Sequence, residues 1–255
     1  MLVRPGHIWS RAEALAWTLA AAEDEATLIG FDLSPAFPFA DAGAYFPGWD
    51  RSPPDARALW TLVEEIAGAD PHLSAGSFVD HPEASRHFRR HGGRLGDRFG
   101  AGRGRLRVVE RATLEQRIAS PYSNFNLVGA AQVGKASLTG MRLFTRLNGR
   151  VPLWPFDPLP ASGSVVVEIY TSLAAVAAGV PKGRAKMRDA AALDAALERV
   201  GSRPHVPLAR YDDHATDALL AAAWLRAIAG DAAYWNPQAL TADLVRTEGW
   251  TFGVR

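Results

Sequence analysis

The run Val165-Val166-Val167-Glu168-Ile169-Tyr170 constrains this chain more than any other segment. A nearly unbroken β-branched stretch reads as a strand covered on both faces, the pattern of parallel sheets. A carboxylate in its middle must be paired, protonated or metal-bound, because burying it bare is too costly. A second apolar run, Leu28-Ile29-Gly30-Phe31, ends in Asp32. A further acid, Asp217, lies one turn into a helix that opens at Asp212-Asp213-His214, with Asp213, Asp217, Leu220 and Trp224 on one stripe. Acids at two strands and at the head of a helix point to a carboxylate cluster for a divalent ion. Its ligands would be Asp32, Glu168, Asp213 and Asp217, its metal magnesium or manganese, and its catalytic acids Asp32, Glu168 and Asp217. Each acid also has a plainer role. Glu168 would pair with Lys182 or Arg184, Asp32 would anchor the loop after it, Asp212 or Asp213 would cap the helix, and Asp217 would pair with a buried arginine.

Hydrophobic periodicity predicts helices over 11–22 (Ser10 as N-cap, Glu13 completing a capping box), 55–67, 136–147, 188–199, 213–229 and 237–246, with strands at 27–32, 106–110 and 165–170. Strands alternating with helices indicate a largely parallel α/β core, and no internal repeat or linker divides the 255 residues, so one domain spanning 1–255 is expected. Cysteine is absent, which excludes disulfides and thiolate zinc sites. No apolar run reaches the about 18 residues that span a bilayer, and the first helix carries Arg11 and Glu13 where a signal peptide would be apolar. A cytoplasmic protein without a membrane partner is the expectation, and nothing in the sequence opposes an oligomer.

The formal net charge of +1 excludes a global nucleic-acid coat, but 86–107 holds eight arginines, six glycines and one acid, Asp97. It reads as a mobile surface insertion, either solvated or in contact with a phosphate backbone. Gly129-Ala-Ala-Gln-Val-Gly134-Lys135-Ala136 is one residue short of a phosphate-binding P-loop, since Ala136 cannot supply the magnesium-ligating hydroxyl. Such a turn can still open a helix and offer N–H groups to a phosphate, with Lys135 facing a cleft. Lys135, Lys182 and Arg184 are the candidate substrate-phosphate contacts.

Six segments occur in order: Leu28-Ile-Gly-Phe-Asp-Leu-Ser-Pro-Ala-Phe-Pro38, Gln132-Val-Gly-Lys-Ala-Ser-Leu-Thr-Gly-Met141, Trp154-Pro-Phe-Asp157, Val166-Val-Glu-Ile-Tyr170, Asp213-His-Ala-Thr-Asp-Ala-Leu219 and Glu248-Gly-Trp250. Together they resemble the bacterial and archaeal family of predicted RNase H-like nucleases. The resemblance implies a ribonuclease H-like mixed five-stranded sheet flanked by helices and two-metal phosphodiester cleavage. It gives Asp32 the place of the acid after the fourth strand and Asp213 and Asp217 that of the late-helix pair. It also implies an initial three-stranded meander whose central strand carries a leading aspartate. Only Met1 to Ser10 precede the first helix, and none is acidic. The expectation is that the meander is missing because the recorded start is late, with roughly 30–50 further residues encoded upstream. Three functions follow: a metal-dependent nuclease; a catalytically silent relative that binds nucleic acid or a protein partner; and a small-molecule phosphate enzyme built on the Gly134-Lys135 turn.

Overall fold

A computed structural model describes residues 1–129, 132–180 and 187–255. The Val-rich run forms the centre of a small parallel sheet. Strands β1 (Leu28–Phe31), β2 (Leu153–Trp154) and β3 (Val165–Glu168) lie in the order β1-β3-β2, with β3 parallel to both neighbours. All four β3 residues are buried. Side chains of a strand alternate between faces, and the two faces of β3 feed two apolar cores. Val166 packs with Ile29, Phe37, Phe125, Met141 and Phe144, whereas Val165 and Val167 pack with Leu173, Leu220, Trp224, Trp250 and Phe252.

Ten α-helices cover the sheet among the described residues: α1 (Arg11–Asp24), α2 (Ala56–Ala67), α3 (Gly76–Asp80), α4 (Val108–Glu115), α5 (Val133–Leu147), α6 (Thr171–Ala177), α7 (Ala190–Arg199), α8 (Asp213–Ile228), α9 (Ala232–Trp235) and α10 (Ala242–Thr247). Helices α1, α2 and α5 pack together on one side, and α6, α7 and α8 on the other. The Ser10/Glu13 capping box opens α1, and Asp55, Asp189 and Asp212 each cap the helix that follows them. Gly30 lets α8 close on β1. A Cβ there would stand 2.8 Å from Leu225 Cδ1 and 2.9 Å from Ile169 Cγ2. No helix is long and apolar enough to cross a membrane among the described residues.

The structure is thus α/β with a parallel core. It differs from the five-stranded mixed sheet that the resemblance implies, having three strands, all parallel, among the described residues. One predicted strand is replaced outright. Residues 106–110 lead into α4, because Glu110 Oε2 accepts the Arg107 N–H at 2.7 Å and caps the helix from its third position. Val108 and Val109 are β-branched, which favours a strand, and the capping geometry overrides that preference.

The arginine-rich segment is also not a free loop. Arg86 pairs with Asp97, Arg98 donates to Pro47 O, and Arg105 fans out to Asp41 and to the carbonyls of Pro38, Ala44 and Tyr45. Arg107 is buried at 1% exposure. Five donors in a rigid fork suit arginine to knitting irregular backbone in this way.

Candidate functional site: an arginine-clamped glutamate beside a crowded aspartate

Asp32 and Glu168 lie at the C-terminal ends of β1 and β3, the end of an open α/β sheet where ligands bind. Register separates them. Glu168 is level with Phe31 across the β1–β3 pair, so the two share a face, the one that packs against the core of Phe37 and Phe144. Asp32 lies one residue beyond Phe31. Its Oδ2 accepts from Thr171 Oγ1 at 3.2 Å, at the start of α6 on the opposite side of the sheet.

Glu168 is engaged by Arg107 through both oxygens. Arg107 Nη1 donates to Oε2 at 2.9 Å and Nη2 to Oε1 at 2.5 Å, while Ser34 Oγ donates to Oε1 at 3.0 Å. The same guanidinium donates through Nε to Glu110 Oε1 at 2.9 Å and through Nη1 to the Glu248 carbonyl at 3.1 Å. Glu248 itself accepts the Phe39 and Ala40 N–H groups on Oε1 and the Val108 N–H on Oε2, so it caps α4 and ties it to the loop after β1. Burial works against the charge of Arg107, but Glu168 and Glu110 outweigh it and hold its pKa above the ordinary value; burial pushes Glu110 upward despite Arg107. The carboxylate in the Val-rich strand is therefore held by an ion pair, with Arg107. The sequence-based partners, Lys182 and Arg184, lie outside the described residues.

Asp32 differs. Its side chain stays open to solvent, yet protein crowds it on enough sides to push its carboxyl up to about 6. Burial is the largest cause, the Thr171 hydrogen bond opposes it, and the negative charges of Glu168 and Asp217 add to it. Asp217 is half-buried on α8, which packs against β1 and α6. Asp32 thus lies within electrostatic reach of both Asp217 and Glu168, and Glu168 acts on it only through its charge. Asp213 pairs with Arg188 at 3.0 Å, and Asp212 caps α8 by accepting the Ala215 N–H at 3.0 Å.

A pair of catalytic metal ions needs several carboxylates converging within a few ångströms. Among the described residues, no group of three His, Cys, Asp or Glu side chains lies close enough together to hold a metal ion. With Glu168 taken by Arg107 and Asp213 by Arg188, the donor set does not fit a two-ion centre.

Lys135 stands apart from these acids. It is exposed in the first turn of α5, 3.3 Å from His91 Nε2, and lines a cavity that includes none of Asp32, Glu168, Asp213 or Asp217. Residues 130 and 131 of that turn lie outside the described residues, and three amides of the helix start are bonded within the protein. The Gly134 N–H donates to Asn126 O, and those of Lys135 and Ala136 to Gln132 O. Gly134 is needed for close packing, since a Cβ would stand 2.4 Å from Asn124 O.

Sequence reasoning missed Arg107, Glu110 and Ser34. The Arg107/Glu110 spacing of three was the available signal for a capped helix, hidden by the reading of 106–110 as a strand. No protein-family model, curated protein or solved structure matches the chain, so the resemblance to predicted RNase H-like nucleases rests on its ordered motifs alone.

Proposed function

We propose that this chain is a ribonuclease H-like protein that binds nucleic acid without cutting it by two-metal chemistry. The observation that carries this reading is the Arg107 clamp on Glu168. It satisfies inside the protein the one acid that the central strand presents. The basic component comes from the arginine-rich segment. Arg89 and Arg103 are exposed, and neither has a carboxylate within ion-pair distance among the described residues. Cations of that kind neutralise phosphates and release counterions, which gives affinity without sequence preference.

The test is to incubate the protein with single- and double-stranded DNA and RNA in magnesium or manganese, following cleavage and retention together. Retention that weakens with salt, and less steeply in an Arg89→Gln/Arg103→Gln variant by about 0.7–0.9 in log–log slope per lost phosphate contact, is expected. Metal-dependent cleavage that disappears in Asp217→Asn overturns the reading.

A second reading, metal-assisted phosphodiester hydrolysis, draws on Asp32, whose raised carboxyl at the open end of a parallel sheet is typical of functional positions. A single magnesium ion takes one or two carboxylates plus substrate oxygens, and Asp32 and Asp217 would be that pair. The same cleavage assay separates the two.

A further inference from the structure

A cavity of about 310 Å³ opens between α3, the 89–95 turn and the start of α5, within the size range of small-ligand sites. Its floor is apolar, from Val79, Leu127 and Leu138. Its charged lining is one-sided: Arg11, Arg90, Arg94 and Lys135 against the single carboxylate of Asp80. Asp80 pairs with Arg90 at 3.2 Å, leaving Arg11, Arg94 and Lys135 with no carboxylate in ion-pair reach among the described residues. The turn is built to hold this arrangement. Arg90 N donates to Arg94 O at 2.8 Å, and Gly92 and Gly93 both take φ of 72°. The buried Nε of Arg90 has no hydrogen-bond partner, although such a donor is ordinarily satisfied.

We propose that this cavity binds a terminal phosphate carried on an apolar or aromatic body, the chemistry shared by a mononucleotide and the 5′-phosphorylated end of a nucleic-acid strand. A dianionic monoester matches three unneutralised cations better than a single carboxylate does. Guanidinium forks and a lysine ammonium are the side chains that recognise phosphate oxygens. The apolar floor accounts for the organic body, because inorganic phosphate would leave it unused. Recognition comes from side chains, since the Gly134, Lys135 and Ala136 amides are bonded within the protein. The site includes none of Asp32, Glu168 and Asp217, and it does not need the polymer-binding reading to hold.

The experiment is calorimetric titration of the full chain with adenosine monophosphate, adenosine, inorganic phosphate and matched oligonucleotides bearing a 5′-phosphate or a 5′-hydroxyl. Adenosine monophosphate is expected to bind at least about tenfold more tightly than adenosine or inorganic phosphate. That affinity should fall at least about tenfold in Arg94→Gln/Lys135→Gln and stay unchanged in Arg203→Gln, an exposed arginine outside the cavity. A 5′-phosphate that strengthens oligonucleotide binding about tenfold, with the gain lost in the double variant, identifies the strand end as ligand. Mononucleotide binding without that gain identifies the free compound. Should the double variant melt early, Arg94→Gln alone, together with protection of Lys135 from an amine reagent by adenosine monophosphate, gives the same decision. No binding at millimolar nucleotide, equal binding by adenosine, or affinity unchanged in a folded double variant overturns the proposal. Oligonucleotides that bind regardless of 5′-phosphate and of Arg94 and Lys135 leave the polymer reading standing while the cavity proposal falls.

Discussion

Replacing Glu168 by glutamine tests the clamp directly, because the substitution keeps the shape and removes the charge. Arg107 is 1% exposed and Glu168 3%, and two of the guanidinium nitrogens donate to this carboxylate. Breaking a buried pair from one side costs about 3–5 kcal/mol. Glu110 still offers Arg107 a counter-charge, while one glutamine nitrogen would face a guanidinium donor, which places Glu168→Gln near about 3 kcal/mol. For a chain of this length that is a fall in Tm of about 6–12 °C, measurable by urea and thermal denaturation at pH 7. Arg107→Met removes the cation and leaves Glu110 and Glu168 buried together. Glu110, which burial already pushes upward against Arg107, should then hold its proton in the folded state above its unfolded pKa of about 4.3. The folded state would bind more protons than the unfolded one, so this variant must lose stability as pH rises from 5 to 8. A Glu168→Gln protein as stable as the parent, with an Arg107→Met variant no steeper in pH, would refute the reasoning and return Glu168 to the candidate metal ligands.

Asp32→Asn should stabilise the protein above pH 6 and have no effect near pH 3, because the unfolded carboxyl ionises near 3.8 and the folded one at about 6. The full difference corresponds to about 3 kcal/mol, but water reaches this side chain, and screening reduces the expectation to about 1 kcal/mol in denaturant melts. His87 acts in the opposite direction. Burial first, then Arg105, Arg98 and Arg86, lower its pKa to about 4, so the stability it permits is intact above pH 6.5 and lost as pH falls towards 4. His87→Phe, set among the rings of Phe46 and Phe125, should flatten acid unfolding in that interval, and an unchanged acid limb would count against burial as the cause. Gly30→Ala forces a methyl against Leu225 and Ile169 and should cost about 1–3 kcal/mol in chemical denaturation.

Local pattern carried the elements that pack on a core. The Val165–Val167 run, the amphipathic face of α2 and the Ser10/Glu13 box were all legible because each depends on neighbours in sequence. The site was less so. That Glu168 required a partner followed from burial alone, but the identity of that partner did not. Arg107 lies 61 residues away in a segment whose glycine content reads as loose surface. The structure shows arginines there satisfying carbonyls and carboxylates of other segments, and no periodicity encodes such contacts. Opposite orientations of Asp32 and Glu168 were likewise out of reach, since they follow from the pairing of Phe31 with Glu168 rather than from either run separately.

Glu248 bears on how the molecule is made. Its carboxylate joins the Phe39 and Ala40 amides, 209 and 208 residues earlier, to the Val108 amide, and Tyr45 donates its hydroxyl to Thr247 O. Contacts of such separation close late in folding. While a ribosome is still short of this glutamate, the amides at 39, 40 and 108 lack their acceptor and the Arg107 fork lacks its carbonyl partner, even though most apolar residues have already emerged. Nascent chains should therefore pass through a compact but unsealed state that attracts chaperones and proteases. Ribosome-arrested chains ending before residue 248 should be cut rapidly at the loop after β1, and those extended far enough for Glu248 to emerge should resist.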